Sequence, residues 1–202
     1  MSRRLHTVRG YRVHGVDLLD FNIQKAIRKA EGNPRTDIRQ ASYNHTGLET
    51  GSFDGAYTME TLVHNSNPGQ AISELLRILA PGGRLVLTEY EREHPENLSP
   101  EANQALELVN THAAMPAFQE QFTYGGIGNL LEEHGATNIV REDLTETMLP
   151  MLSAFNTLAR APYAIAKALG RAHRMVNAAS AVELYKHQQA WRYVRYTAQA
   201  AG

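Results

Sequence analysis

Asp17, in the stretch YRVHGVDLLDFNIQKA that begins at Tyr11, is the first candidate for a ligand-binding residue. Residues 11–16 have the alternation of a strand, and the apolar side chains of Asp20–Ala30 recur at helical spacing. Asp17 therefore stands between a strand and a helix, where an open α/β sheet presents side chains to a ligand. Its two oxygens can accept hydrogen bonds from both hydroxyls of a ribose, although an acid at this position can equally cap the helix.

The elements that would position this acid continue along the chain. Residues 54–59 are predicted to form a strand, and the apolar spacing in GQAISELLRILAPGG predicts a helix that ends at Pro81–Gly83. The apolar segment RLVLTEY follows directly and is typical of a buried strand. Strands and helices that alternate over short connections predict a parallel α/β sheet.

The second half of the chain is more helical. A polar helix is predicted near residues 99–112, a helix in GIGNLLEEHGA, a strand in TNIVREDL and a final strand in WRYVRYTAQA. Apolar residues between positions 151 and 185 recur at helical spacing, and we expect interruptions at Pro162 and Gly170. Such helices usually belong to a core, and the alternative is a lid over a substrate.

The composition excludes several classes of site. The 202 residues suffice for one core, and the net charge of -1 provides no overall field for nucleic acid or an anionic membrane. The chain has no cysteine, so disulfides, zinc–thiolate sites and thiol nucleophiles are excluded, and no metal site is predicted. No apolar run approaches the roughly 18 residues of a membrane span. A cytoplasmic protein is expected, or one that is peripheral to an internal membrane.

Four segments together resemble the class I S-adenosylmethionine-dependent methyltransferases, and within them the sterol 24-C-methyltransferase-like branch. The segments are GVDLLDFNIQKA, SFDGAYTMETLVH, AISELLRILAPGGRLVLTEYE and WRYVRYTA. The resemblance covers about residues 9–197. It implies an α/β fold with an incomplete Rossmann-like sheet and a helical C-terminal cap region. Residues 1–98 would form a partial cofactor-binding core, and residues 99–202 would supply the acceptor-binding cap helices and the final strands.

The resemblance also implies which residues bind the cofactor, S-adenosyl-L-methionine. Asp17 matches the acid that holds the ribose hydroxyls, and Leu18 matches its apolar neighbour beside the adenine. Ser42 and Tyr43 fall at the adenine edge, where the family usually has an acid before an apolar or aromatic residue. A serine is a weaker partner for the exocyclic amine than a carboxylate.

The reacting groups are implied at the end of the next predicted strand. Thr58, Met59 and Glu60 match the family's segment that approaches the methionine part and the transferred methyl. Glu60 and His64 are the titratable groups expected nearest the reaction. With an alkene acceptor, Glu60 would stabilise a transient carbocation or remove its proton; with a hydroxyl acceptor, His64 would take the proton. His64 can equally be a satisfied histidine at a helix start.

One part of the family pattern is not found. In the family a strand, a glycine-rich turn and a helix precede the segment matched by GVDL, but only 16 residues stand before Asp17. The segment RRLHTVRG fits the last turns of that helix, with Gly10 as its stop. A parallel neighbouring strand would need a crossover of about a dozen residues or more, so we expect the strand and its loop to be missing. The family's strand order places the missing strand between strand 11–16 and strand 54–59, which leaves two unpaired edges.

The expected function is transfer of a methyl group from S-adenosylmethionine to a carbon or oxygen of a small lipophilic acceptor. Three explanations of the missing segment are open: a start codon assigned too late in the gene, a degenerate copy of a methyltransferase, or a subunit that another chain completes. Loss of the segment would remove methyltransferase activity from this chain. The alternative is a non-catalytic pseudoenzyme or partner subunit of a full-length methyltransferase, which would dock through its exposed sheet edges, and a homo-oligomer is also open. Periodicity does not specify the acceptor or distinguish C-methylation from O-methylation.

Overall fold

A computed structural model describes residues 10–30, 33–171 and 174–202. The strands and helices, in chain order, are β1 (Val13–Asp17), α1 (Asp20–Ala30), β2 (Thr36–Gln40), β3 (Phe53–Met59), α2 (Pro68–Ile78), β4 (Leu79–Arg92), α3 (Pro100–Ala113), α4 (Pro116–Glu120), α5 (Gly126–Glu133), β5 (Thr137–Asp143), α6 (Thr145–Ala168), α7 (Val176–Lys186) and β6 (Trp191–Gln199). A short 3₁₀ turn, Leu62–His64, follows β3. The predicted helical segment RRLHTVRG lies outside the described residues except for Gly10.

Most elements occur where the periodicity predicts them, with four differences. The helix α2 ends at Ile78 and not at Pro81–Gly83, because β4 already begins at Leu79, and the short helix α4 was not predicted. β2 was not predicted, because its sequence TDIRQ has a single apolar residue and forms a strand through pairing with β1. The predicted interruption of the C-terminal helix at Pro162 is wrong: α6 continues through Pro150 and Pro162 and ends before Gly170, whose φ is 67°. Leu152, just after Pro150, and Tyr163, just after Pro162, are both buried, so packing stabilises the helix beside each proline.

The strands form two sheets. β1 and β2 pair in parallel, and the second sheet has the order β3-β4-β6-β5. β3 is parallel to β4, whereas β6 is antiparallel to both of its neighbours. The prediction of a parallel sheet is therefore correct for the first four strands, and the last two make the larger sheet mixed.

The two sheets lie beside each other but do not pair. Within the described ranges β1 pairs only with β2, and β3 pairs only with β4. At one end of this junction the rings of His14 and Phe53 meet edge to face, 5.2 Å apart. At the other end the Tyr43 hydroxyl lies 3.5 Å from the carbonyl oxygen of Thr61. In the part of the chain that the structure describes, the facing edges of β1 and β3 are thus unpaired, at the position where the sequence predicts two unpaired edges.

The core belongs almost entirely to the larger sheet and its helices. Its fully buried side chains include Leu62, Ile72, Leu85, Leu87, Leu106, Phe118, Ile127 and Trp191. The β1–α1–β2 unit contributes one buried apolar side chain, Ile23, in the part of it that is described. Because burial of apolar area supplies most of the stabilising free energy, this unit is held less firmly than the remainder.

One face of the larger sheet is covered by α2 and α5, and the other is largely open. On the open face Tyr57, Met59 and Val140 are exposed, and Val86 and Thr197 line a shallow depression. Among the described residues no helix has both the length and the apolar character required to cross a bilayer.

Candidate functional site

The predicted site residues come together at the carboxyl ends of β1, β2 and β3. The backbone N–H of Ala41, just after β2, donates to the carbonyl of Asp17 at 3.1 Å. Ser42 and Tyr43 follow, and Tyr43 reaches toward Thr61 beyond the end of β3. The carboxyl ends of parallel strands are the usual ligand-binding edge of an open α/β sheet.

Asp17 is partly exposed and already has local partners. Its Oδ1 accepts the backbone N–H of Leu19 at 2.8 Å, and its Oδ2 accepts the side-chain amide of Asn22 at 3.0 Å. Asp17 thus contacts the residue before α1 and a side chain of its first turn, and it accepts no backbone N–H of the helix itself. A carboxylate has about four acceptor positions, so two remain for the hydroxyls of a ribose.

The residues after β2 offer a polar and an aromatic surface. The Ser42 hydroxyl accepts the N–H of Asn44 at 3.1 Å and keeps its own proton and a second lone pair for another partner. Burial raises the pKa of the half-buried Tyr43, and the charges of Glu89 and Asp17 raise it further. Tyr43 therefore remains a neutral aromatic ring beside Asp17. Leu18, which is 56% exposed, lies at the same edge.

At the end of β3 the backbone is strained. Glu60 has a φ of 50°, in the left-handed region that a residue other than glycine rarely occupies. Its N–H donates to the carbonyl of Thr88 at 2.8 Å, and its Oε1 accepts the hydroxyl of Tyr193 at 2.8 Å. Burial and this hydrogen bond raise the pKa of Tyr193, which stays a donor. Backbone strain of this kind clusters at functional sites.

The neighbouring residues of β3 differ in their surroundings. The hydroxyl oxygen of Thr58 is buried and has no hydrogen-bond partner in the described part of the chain. Met59 is 46% exposed. One side chain at this strand end thus has an unused polar atom, and the next has an accessible thioether.

A second acid, Glu89 of β4, lies against the same turn. It is fully buried, and its Oε1 accepts the backbone N–H groups of Thr61 at 3.0 Å and Leu62 at 2.9 Å. Burial raises the pKa of Glu89 to about 7, and the nearby charge of Glu60 adds to the shift. The sequence analysis missed this residue, although an acid inside the apolar segment RLVLTEY was a visible signal.

Aromatic rings lie beside these acids. The ring of Tyr90 is 5.0 Å from that of Tyr193 and 6.0 Å from that of Trp191. Its hydroxyl lies 3.8 Å from the sulfur of Met148, in the first turns of α6. Sequence analysis also missed Tyr90 and Tyr193. Aromatic faces beside a carboxylate form a surface that can stabilise positive charge.

His64 is placed differently. It is exposed, and its Nδ1 lies 2.9 Å from the carbonyl oxygen of Ala114, so that nitrogen donates and Nε2 is the free acceptor. This contact agrees with the interpretation of His64 as a satisfied histidine. A catalytic role for His64 stays a prediction.

The C-terminal apolar helix is not all core. Five large apolar residues of α6 and its end are between 52% and 77% exposed, and their spacing puts them on one side of the helix: Met151, Phe155, Leu158, Ile165 and Leu169. We call them the α6 stripe. Met148, one turn before the stripe, contacts Tyr90, so the stripe extends from the aromatic rings. The core interpretation is wrong for these five residues.

The residues at the strand ends fit the adenosine part of the implied cofactor. Asp17 retains acceptor capacity, Ser42 has a hydroxyl to spare, and Leu18 and Tyr43 offer flat or apolar surface. Among the described residues, the Thr58 hydroxyl and the facing edges of β1 and β3 have no hydrogen-bond partner, and Thr58 belongs to the segment that the resemblance assigns to the methionine part. No cluster of three or more metal-ligating side chains occurs among the described residues.

Comparison with known proteins agrees with this geometry. The family profile described as "Methyltransferase domain" matches residues 1–87. The chain is 30% identical over 196 residues to the S-adenosyl-L-methionine-dependent Diels-Alderase iccD of Talaromyces variabilis, which covers 93% of this chain and 67% of that protein. It is 27% identical over 112 residues to sterol methyltransferase-like 3 of Botryococcus braunii, covering 54% of this chain and 28% of that protein.

The fold also matches a solved structure. Geranyl diphosphate C-methyltransferase from Streptomyces coelicolor A3(2) superposes with a TM-score of 0.72 at 17% identity, over 99% of this chain and 66% of that one. At that identity the likeness shows the fold, and it confirms the predicted α/β methyltransferase architecture. With the sequence similarity to the Talaromyces protein, which extends over nearly the whole chain, it shows that this chain belongs to the class I S-adenosylmethionine-dependent methyltransferase family.

Proposed function

We propose that this chain binds S-adenosylmethionine and directs its methyl group to a carbon or oxygen of a small lipophilic acceptor. The observation that carries the proposal is that Asp17 and Glu60 lie at the ends of neighbouring strands on one edge. The first is suited to the cofactor's ribose, and the second lies beside aromatic rings that lead to the α6 stripe. Residues 1–98 would hold the cofactor, and residues 99–202 would supply most of the acceptor site.

The cofactor supplies a methyl group on a positively charged sulfur, so the protein's task is to orient the reactants and exclude water. Asp17 would accept hydrogen bonds from the ribose hydroxyls, and Ser42 would contact the adenine amine. Leu18 and Tyr43 would flank the adenine. Thr58 and Met59 would lie beside the methionine part.

The acceptor would lie between the aromatic rings and α6. The Tyr90 and Tyr193 rings face a site that Glu60 borders, and the α6 stripe provides an apolar surface for an elongated molecule such as a sterol or another isoprenoid. Glu60, held by the Tyr193 hydroxyl, would stabilise positive charge or remove a proton from an alkylated alkene. His64 would serve as the base for a hydroxyl acceptor.

A cytoplasmic location is proposed, with the α6 stripe as the surface that would contact an internal membrane.

A second candidate is cyclisation of the bound molecule without methyl transfer. It is favoured by the similarity to a protein named as a Diels-Alderase, which extends over 93% of this chain. A cycloaddition requires that one flexible substrate be folded and polarised, and an apolar stripe beside hydrogen-bonding acids and tyrosines can do both. The sequence similarity thus leaves two chemistries for one binding site.

The junction between β1 and β3 bears on both candidates. We propose that an extended strand occupies it in the working protein and pairs with both edges. An upstream segment, a second copy of the chain or a full-length methyltransferase could supply that strand, and in the last case this chain would be a partner subunit. The unpaired edges, the light packing of β1–α1–β2 and the open face of the larger sheet support this proposal.

The test is calorimetric titration of S-adenosylmethionine into the chain and into a form extended upstream in its reading frame, followed by mass analysis of products from isoprenoid acceptors. Binding with a product that gains one methyl group supports methyl transfer. Binding with a product of unchanged mass supports cyclisation. Binding by neither form would overturn the proposed cofactor site.

A further inference from the structure

The buried side chain of Glu89 is hydrogen-bonded to the backbone that follows β3. Its Oε1 accepts two successive backbone N–H groups, from Thr61 and Leu62, at the start of the 3₁₀ turn Leu62–His64. No side chain within that turn caps it, since Thr61 itself makes no side-chain cap bond. Glu89 therefore caps the turn from the neighbouring strand.

This cap lies next to the strained residue. Glu60 is in the left-handed region, and its own N–H is held by the carbonyl of Thr88 in β4. The next N–H, that of Thr61, is held by Glu89 in the same strand. Glu60 is thus fixed from both sides by two consecutive residues of β4, which is the kind of over-determination that a strained conformation requires.

The second carboxylate oxygen of Glu89 is unused. Its Oε2 is buried and has no hydrogen-bond partner among the residues that the structure describes. The ionisable groups around it are Glu60 after β3, Tyr43 after β2, Tyr90 on β4 and Tyr193 on β6. The three tyrosines stay neutral, so Glu60 is the neighbouring charge. A proton on Oε2 would leave Oε1 a weaker acceptor for the two N–H groups of the turn.

We infer that Glu89 is a positioning residue, whose buried carboxylate holds the Thr61–Leu62 backbone and so fixes the direction in which Glu60 faces the acceptor. This inference rests on the proposed function, in which Glu60 borders the reacting atoms. Because burial raises the pKa of Glu89 to about 7, the hydrogen bonds that Glu89 accepts from the turn change in strength around neutral pH.

The chain offers a matched control. Glu91 lies two residues further along β4 and is equally buried. Its carboxylate accepts the hydroxyl of Tyr196 at 2.8 Å and is paired with Arg141 at 2.8 Å, away from the turn. Replacing Glu91 by Gln therefore removes a buried charge from the same strand without removing the cap.

The experiment records amide proton and nitrogen NMR shifts of Thr61 and Leu62 from pH 5 to pH 9. In the parent chain and in Glu91→Gln, both amides should shift with a midpoint near the pKa of Glu89, and in Glu89→Gln the shift should be absent. An unchanged titration in Glu89→Gln, or no titration in the parent, would overturn the inference.

If Glu89→Gln does not fold, Glu89→Asp should fold and show a smaller shift, because its shorter side chain reaches the turn poorly. A shift of parental size would count against the inference.

A second readout separates this inference from the proposed function. In an active preparation, Glu89→Gln should lower kcat roughly ten- to a hundredfold, leave cofactor affinity unchanged, and remove the dependence of kcat on pH near 7. A kcat with the parental value and pH profile would show that the turn does not position Glu60. If no variant and no parent turns over, the proposed function fails, while the amide titration still decides whether Glu89 holds the turn.

Discussion

At the scale of single residues, two buried glutamates show how the surroundings set the charge. Glu74 of α2 accepts hydrogen bonds from Nε and Nη2 of Arg77, at 2.7 and 2.9 Å, and from the backbone N–H of Thr46 at 2.7 Å. The Arg77 hydrogen bonds, helped by Thr46, lower the pKa of Glu74 to about 2. Glu89 accepts hydrogen bonds from two backbone N–H groups and has no cationic partner among the described residues, so burial dominates and its pKa rises.

Replacing Glu89 by Gln should change how stability depends on pH. A carboxyl whose pKa rises on folding contributes stability that is present below its unfolded value of 4.5 and is lost as pH rises toward 7. Relative to the parent, the Gln variant should therefore gain about 3 kcal/mol in free energy of unfolding between pH 4.5 and pH 8. Urea unfolding at several pH values measures this gain. Parallel stability curves for the two proteins would contradict it.

Replacing Asp17 by Ala should weaken binding of S-adenosylmethionine by about 1 to 3 kcal/mol, the usual loss for hydrogen bonds to a charged group. Asp37→Ala is the control, because Asp37 is an acid of the adjacent β2 that pairs with Arg39 at the surface. Calorimetric titration measures both affinities in whichever form of the protein binds the cofactor. Equal affinities in the two variants would remove Asp17 from the site.

At the scale of elements, α6 is the clearest case of a helix with two apolar sides. Leu152 and Tyr163 are buried, and Tyr163 donates to Glu183 of α7 at 3.0 Å. The α6 stripe lies on another side and remains exposed. Periodicity predicts both sets of residues, because both recur at helical spacing, but it does not indicate which set is covered.

Replacing Leu158 by Gln should reduce binding of an apolar ligand with little effect on folding. Leu158 is 77% exposed, so the free energy of unfolding should change by no more than about 0.5 kcal/mol. Leu152→Ala, on the buried side of the same helix, should instead lose about 2 to 5 kcal/mol. Fluorescence of anilinonaphthalene sulfonate reports binding, and thermal unfolding reports stability. Probe binding by Leu158→Gln equal to that of the parent would show that the stripe is not the apolar site.

At the scale of the whole molecule, the two sheets differ in how they are held. The larger sheet shares one continuous core with its helices, while β1–α1–β2 buries Ile23 and little else among its described residues. Parallel strands are usually buried on both sides and paired on both edges, and within the described ranges the facing edges of β1 and β3 depart from this.

Backbone amides of the two sheets should therefore differ in their rates of hydrogen exchange. Backbone amides of β1, α1 and β2 should exchange faster than those of β4 and β6, because opening the small unit exposes little apolar surface. Pairing of a further strand with the facing edges of β1 and β3, as proposed above, should slow exchange in these two strands specifically. Mass spectrometry of peptic fragments measures both effects. Equal protection in the two sheets of the chain alone would contradict the prediction.

Most element types, the family and the strand ends at which the predicted site residues gather were predictable from the amino-acid sequence. Local periodicity predicts most of the helices and strands. The motifs around GVDL and LAPGGRLVLTEY indicate the family, and the positions of Asp17 and Glu60 at strand ends indicate the edge of the sheet. The amino-acid sequence did not predict β2, whose five residues form a strand only because β1 provides an edge. Short-range pattern is sufficient where neighbouring residues alone decide the conformation.

The groups that surround Glu60 come from distant segments of the chain, so no local pattern predicts them. Tyr193 is 133 residues away along the chain and meets Glu60 because β6 pairs antiparallel to β4. Glu89 became a cap with a raised pKa because its strand is covered by packed helices. Burial and contact between distant segments depend on how the elements pack, and that information is spread over the whole chain and absent from any single stretch of it.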